Sequence, residues 1–391
     1  MKYLVLITAS SKKIEEYLKN WQNRLRSELK VLFYPHITVE AVDGATSFAV
    51  IETDRISNAV TYCKNLLKTA SNIRLIPILD EKEAAEELAK FNEGKIQADT
   101  EYKVAKISKI KGLGSTNKLE ILPLLDWHTE NQGLKVECGV SYLVKTDDTT
   151  ILFDTGDNND KDPSPLLQNM EKLGISVEDI DIIFISHNHG DHVGGGKWAE
   201  KNTFSLSGKQ IKIEGKRAYT PIPMTYPGLR PIHASNSMII GKGIATTGTI
   251  PSSIFFMGYT VEQSLAINVK DKGIVLIVGC GHQTLPRLLE RTSALFDEPL
   301  YGLIGGLHYP VMGGPIEFFG YAPHKHLGTG KPPWEQITLD ELSANIELLK
   351  KYNPKIIALS PHDSSELSLK AFKDAFPDEC RKINVGEIIV I

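Results

Sequence analysis

The stretch Ser186–Gly196, SHNHGDHVGGG, constrains this 391-residue chain more than any other. It places His187, His189, Asp191 and His192 directly after the apolar run Ile180–Ser186. A short apolar run between polar segments reads as a buried strand. Its end fixes the backbone, and the loop beyond lets side chains converge. Residues at i and i+2 of an extended chain point the same way, so His187 and His189 can meet at one point. Asp191 and His192 then face a second point nearby. Neutral imidazole and carboxylate are ligands of zinc and, with less preference, of iron or manganese. Three glycines after this group let the chain turn close to such ions before a helix at Lys197–Lys201.

Composition narrows the class. Lys plus Arg is 44 and Asp plus Glu is 48, a net charge of −4, which argues against a nucleic-acid binder with its basic face. Hydrophobic residues at 41% and charged residues at 24% describe a globular chain. No run approaches the roughly 18 apolar residues of a membrane helix. MKYLVLITASSKKIEEY has no apolar core with a cleavage site, so no signal peptide is expected. Cys63, Cys138, Cys280 and Cys380 are too sparse for a disulfide scaffold. A reducing cytoplasm is the expected setting.

The chain divides by composition. Residues 1–100 hold two of 31 glycines and one of 11 histidines, so the first quarter is built of regular elements and the rest is loop-rich. Strands are expected at Tyr3–Thr8, Ile37–Val42, Ser47–Thr53 and Asn72–Leu79, and helices at Lys12–Lys30 and Arg55–Thr69. Asp43-Gly44 is a hairpin signal. This βαββαβ order is that of a ferredoxin-like α+β unit, here an accessory domain over 1–92 that resembles dimer-forming domains. A helix is expected at Glu81–Phe91, and the Lys-rich segment 93–117 reads as a linker. A catalytic domain then spans 118–391. It begins with strands (Val136–Lys145, Thr150–Phe153), a helix (Ser164–Leu173) and the strand Ile180–Ser186. The hairpin Ser264–Val269/Gly273–Val278, a helix near Leu285–Leu295, the strand Leu300–Ile304, the helix Asp340–Tyr352 and the strand Lys355–Leu359 follow. Paired strands with interspersed helices point to packed sheets with helices outside.

H-x-H-x-D-H at a strand end resembles the metallo-β-lactamase superfamily, and ILFDTG (Ile151–Gly156) is a second feature of it. TTGTIP (Thr246–Pro251), SLAINVKDKGIVLIVGCGH (Ser264–His282), LIGGLH (Leu303–His308) and ALSPHDSS (Ala358–Ser365) follow in order. With NMEKLGISVEDIDIIFISHNHGDHVGG (Asn169–Gly195), they are similar to the branch of 7,8-dihydropterin-6-yl-methyl-4-(β-D-ribofuranosyl)aminobenzene 5′-phosphate synthase-like proteins over about residues 119–391. The resemblance implies an αββα sandwich. It also implies that Asp154 orients metal-bound histidines through their second ring nitrogen.

The remaining ligands fall to later histidines. His282 and His308 follow strand ends, and His362 occupies the place of the superfamily's last ligand or faces substrate. Cys280 stands where many members have a bridging Asp or a metal-bound Cys; a thiolate there favours zinc, and a small buried side chain is the other reading. Glu262 and Gln263 lie where many members have a ligand His, which leaves that part to His282. The branch's E-H-G-x-S run is here Glu137-Cys138-Gly139-Val140-Ser141.

The expected division puts His187, His189 and His282 on one metal and Asp191, His192 and His308 on the other, with His362 completing a sphere or contacting substrate. Two metals about 3.5–4 Å apart hold a bridging hydroxide that attacks without a Ser or Cys nucleophile. Asp191 and His362 are the candidate catalytic residues. The long Gly/Pro-rich segment Tyr309–Trp334, with His324 and His326, reads as a lid or pocket wall. Lys325 and Lys331 are candidates for a substrate phosphate, and Thr246–Pro251 for lining the pocket. A hydrolase of esters or phosphoesters is the first expectation and the pterin-coupling transferase the alternative. A metal-holding sensor is disfavoured by the intact ligand set. The partner is a small-molecule substrate, with neither nucleic acid nor membrane.

Overall fold

The computed structural model describes residues 2–8, 46–51, 72–78, 81–158, 161–255, 257–311, 328–331 and 337–391. The chain divides into two compact units, Met1–Asn92 and Glu93–Ile391. In the first, three antiparallel strands form one sheet in the order Thr46–Ile51, Lys2–Thr8, Asn72–Ile78. Leu4 is paired with Val50 on one side and Ile76 on the other. The strand expected at Ile37–Val42, the Asp43-Gly44 turn and both helices of the βαββαβ reading lie outside the described residues.

In the second unit, mixed α/β structure forms around two seven-stranded sheets. One runs Ile389–Val390, Glu120–Leu125, Ser141–Lys145, Thr150–Phe153, Ile182–Phe184, Arg217–Thr220, Ile232–His233. The other runs Met238–Gly241, Ile244–Thr246, Leu265–Val269, Gly273–Val278, Leu300–Gly305, Ile356–Leu359, Cys380–Lys382. Each has three antiparallel pairings followed by three parallel ones.

Side chains alternate between faces along a strand, and that alternation builds the layers. Tyr142, Val144, Ile151, Phe153, Ile182 and Phe184 from the first sheet meet Leu265, Ile267, Val275 and Ile277 from the second in one core. Tyr142, Phe153 and Phe184 stack in a row, with centroids 6.0 and 5.5 Å apart. The opposite faces turn outward. Leu143, Leu152 and Ile183 pack with Leu166 and Met170 of the helix Pro165–Lys172. Ile274, Leu276 and Val278 pack with the helices Leu285–Leu295, Leu339–Lys350 and Glu366–Ala375. Hydroxyls of Ser164, Thr338 and Ser365 cap the helices at Pro165, Leu339 and Glu366.

Two differences from expectation have physical causes. Residues 93–104, read as linker, belong to the helix Glu81–Val104. Its polar side chains are anchored: Asp99 pairs with Arg287, Tyr102 donates to Glu290, and Glu101 accepts from Tyr259. The two-stranded sheet Ile250–Ile254/Gly258–Glu262 also forms where the sequence offered only a pocket-lining motif.

Candidate metal centre

Strands from both sheets deliver the candidate ligands to one place. The strand Ile182–Phe184 leads into Ser186, His187 and His189, all buried. His189 stays extended (φ −103°, ψ 152°) before the short helix Gly190–Val193, which carries Asp191 and His192. The turn out of that helix is Gly194, at φ 92°, where a Cβ would stand 2.1 Å from the Ser205 carbonyl oxygen. Only glycine fits there. From the second sheet, Gly273–Val278 leads to Cys280 and His282, Leu300–Gly305 to His308, and Ile356–Leu359 to His362.

Nitrogen, sulfur and oxygen ligand atoms gather in three overlapping groups: His187, His189 and His282; Asp191, His192, Cys280 and His362; and Cys280, His282 and His308. Within each group the ligand atoms lie within 4.8 Å of one another. The first is the trio expected on one metal. The second differs from the expected division, because His362 rather than His308 joins Asp191 and His192. His308 instead sits over His282, ring centroids 4.7 Å apart. Cys280 belongs to two groups, its Sγ 3.0 Å from His192 Nε2 and 3.1 Å from His362 Nε2.

Hydrogen bonds around the cluster orient the rings. Asp154, fully buried in a left-handed conformation (φ 54°), accepts from Ser186 N at 2.7 Å, from Ser186 Oγ at 2.6 Å and from His192 Nδ1 at 2.7 Å. Ser186 Oγ also lies 2.9 Å from His187 Nδ1. One carboxylate thus governs two rings, directly and through a hydroxyl. His282 Nδ1 meets the Gly328 carbonyl at 3.1 Å, which turns Nε2 inward. His308, like Asp154, has a positive φ (51°), and its N–H donates to Asp363 at 3.1 Å. Non-glycine residues held in this region store strain that the surrounding structure must over-determine.

Glu262 and Gln263, noted in the sequence only as positions without a histidine, prove to be supports. Glu262 accepts from Gly281 N at 3.0 Å and His282 N at 2.8 Å. Gln263 donates to the Ile185 carbonyl at 2.8 Å and accepts from Thr246 Oγ1. They bind the two ligand loops to one strand end. Carboxamide and carboxylate side chains at a strand end carry no distinctive spacing, so the sequence did not signal them. Thr246 and Thr247 are spent on this scaffold, Thr247 Oγ1 accepting from Ser264 N. Val140 N, in the run with Cys138, donates to the Asp191 carbonyl at 3.2 Å. His324, Lys325 and His326 lie outside the described residues, and Lys331 pairs with Glu341.

The electrostatics suit a cation. Burial holds His187 and His282 well below the ordinary imidazole pKa, and His189 at about 4, so all three are neutral and able to ligate. Burial opposes charge on His192, but Cys280, Asp191 and Asp154 outweigh it and lift its pKa well above the ordinary value. Burial also pushes Glu262 up to about 7. Beside His189 a cavity of about 170 Å³ opens, lined further by Asn188, Ile222, Met257, Tyr259, Thr260 and Val261. A larger recess of about 490 Å³, lined by His128, Lys370 and Arg381 among others, includes none of the candidate ligands.

Residues 137–204, which hold Asp154 and the whole H-x-H-x-D-H loop, match the family model of the metallo-beta-lactamase superfamily. That segment is similar to the superfamily, whose members are mostly enzymes. Among curated relatives it is 25% identical, over 51% of its length and 80% of the relative's, to a 7,8-dihydropterin-6-methyl-4-(beta-D-ribofuranosyl)-aminobenzene-5′-phosphate synthase of Methanocaldococcus jannaschii. It is 29% identical to an uncharacterized protein of the same organism, over 44% of this chain and 72% of that one. A solved metal-dependent hydrolase of the beta-lactamase superfamily is 20% identical with a TM-score of 0.47, covering 70% of this chain and 99% of that one.

Proposed function

We propose that this chain is a metal-dependent hydrolase with a dinuclear centre acting on an ester or phosphoester. One observation carries the reading. The Nε2 atoms of His187 and His282 are buried without a hydrogen-bond partner among the described residues, and both belong to one group with His189. An unsatisfied buried polar atom costs about 1–3 kcal/mol, and a divalent cation removes that cost. His187, His189 and His282 would hold one ion. Asp191, His192, Cys280 and His362 would hold the other, with His308 reaching the space between through Cys280 and His282.

Bound ions supply Lewis acidity and bring the pKa of water near 7. The protein's own groups do the rest. Asp191, 31% exposed at its side chain, stands at the more open side of the site. Burial opposes its charge, but His192, His189 and His362 outweigh it and hold its carboxyl well below the ordinary value, so it stays ionised and able to hold a cation. Asp154 and Ser186 hold the rings of His192 and His187. His362 sets the far wall against Cys280. Substrate, a small molecule, enters past His189. Zinc suits this mixture of nitrogen, oxygen and sulfur, with iron and manganese as alternatives. Residues 1–92 form an accessory domain that pairs two copies, and the reducing cytoplasm is the setting; deletion of 1–92 should therefore leave a monomer in solution.

The test is metal analysis of purified protein with turnover on phosphodiester, phosphomonoester and thioester panels. Metal-dependent release of one product class supports the hydrolase. The similarity to the M. jannaschii synthase favours a second reading, a pterin-coupling transferase. Pyrophosphate released only when both coupling partners are present would replace the hydrolase with that reading.

A further inference from the structure

A further buried carboxylate reaches His362 from the sheet opposite its own. Asp126 follows the strand Glu120–Leu125 and is fully buried. It accepts from Trp127 N at 2.7 Å and from Tyr142 OH at 2.7 Å. Ser360, which follows Ile356–Leu359, places its Oγ 2.9 and 2.8 Å from the two Asp126 oxygens and 2.5 Å from His362 Nδ1. The His362 backbone N–H also points at that hydroxyl, at 3.3 Å. None of these groups belongs to the family-matched segment except Tyr142.

The donor count sets the proton positions. A serine hydroxyl has one proton to give. An ionised Asp126 can only accept, so the Ser360 proton goes to it. The Ser360 oxygen must then accept from His362 Nδ1–H. That leaves the His362 Nε2 lone pair facing Cys280 Sγ at 3.1 Å, inside the group with Asp191 and His192. The arrangement repeats Asp154–Ser186–His187, where the hydroxyl contacts are 2.6 and 2.9 Å. The two relays come from different sheets, one after Ile182–Phe184 and the other after Ile356–Leu359. The carboxylate sits a strand away from the Ser-His segment in one case and across the sandwich in the other.

We propose that Asp126 and Ser360 are positioning residues that hold His362 in its Nδ1–H tautomer and so aim Nε2 at the cation of the second group. The inference rests on the metal reading above for its consequence, but the tautomer is a property of the metal-free protein. A partner on the second ring nitrogen of a ligating histidine typically governs metal affinity by 10–100-fold.

Two measurements test it. Nitrogen-15 NMR of metal-free protein, with His362→Gln to assign the ring, should show His362 as the neutral Nδ1–H form. Ser360→Ala should lose that preference and Ser360→Thr should keep it. Cobalt titration should then show one of two sites 10–100-fold weaker in Ser360→Ala and in Asp126→Asn, the other unchanged, and both near wild type in Ser360→Thr. An unaltered tautomer and unaltered cobalt affinities in folded Ser360→Ala would overturn the proposal. So would equal weakening of both sites, which marks a general loss of packing. If the wild type takes up no cobalt, the metal reading falls and the NMR arm still decides the tautomer.

Discussion

At the residue scale, the cluster separates groups that would bind from groups that aim them. His187 Nε2 has no protein partner among the described residues, while its Nδ1 is held by Ser186. His187→Ala should therefore remove one ion per chain and with it nearly all turnover, read by elemental analysis and steady-state rates. Asp154 is fully buried. It governs His192 directly and His187 through Ser186, so Asp154→Asn should weaken metal binding about 10–100-fold while leaving KM at saturating metal near the wild-type value. Chelator competition measures the first quantity and a metal-saturated rate curve the second. A large KM change in Asp154→Asn would place this residue against substrate instead. The histidines and Asp191 were legible because ligand types crowd into a few positions after an apolar run. The supports Glu262, Gln263, Ser360 and Asp126 were not, since each acts through hydrogen bonds to residues distant in sequence, which leave no spacing to read.

At the element scale, tight turns and buried amides keep the ligand loops in place. Gly194 combines φ 92° with backbone contact at Ser205, so Gly194→Ala must both strain and shift the turn after His192. The expected cost exceeds about 1 kcal/mol, and displacement of the loop should lower metal uptake in parallel; urea unfolding and metal analysis read the two. Asn169, in the helix Pro165–Lys172, donates to the carbonyls of Leu124 and Lys135 and accepts from Lys135 N. It joins that helix to the strand Glu120–Leu125 and to the chain leading into Cys138. Asn169→Ala strands the buried Leu124 carbonyl and two part-buried groups of Lys135 and should cost about 1–3 kcal/mol, with the same unfolding slope in urea as the wild type. Elements with a clear period were readable in advance: the hairpin Leu265–Val269/Gly273–Val278 and the helix Leu285–Leu295 lie where the sequence puts them. The strands Arg217–Thr220, Ile232–His233 and Cys380–Lys382 were not, for two to four residues are too short to show alternation. The sheet Ile250–Ile254/Gly258–Glu262 was masked by its proline, serines, threonine and glycine, which read as loop.

At the scale of the whole second unit, the two sheets share one sequence of strand directions, and each sends loops to the same edge. Asp154 and Cys280 follow the two strands at which antiparallel pairing gives way to parallel, Thr150–Phe153 and Gly273–Val278. The cluster therefore stands where ligand-bearing loops of both sheets converge, and it depends on their staying packed. A cation held by His187 and His189 from one sheet and His282 from the other binds only when the sandwich is closed. Linkage then makes metal a folding ligand: at a free concentration 100 times the dissociation constant, the stabilisation is about 2.7 kcal/mol. For a unit of this size that corresponds to several degrees in Tm. Calorimetry with and without excess zinc should show the rise, and a chelator should reverse it. In His187→Ala the rise should shrink, since one sheet no longer contributes its full share of ligands. In a surface variant such as Lys212→Ala, whose side chain pairs with Glu214 at 3.2 Å, it should stay as in the wild type. An equal zinc response in His187→Ala and the wild type would mean that the ion binds elsewhere, and the cluster would then have to be read as a buried histidine core rather than a metal centre.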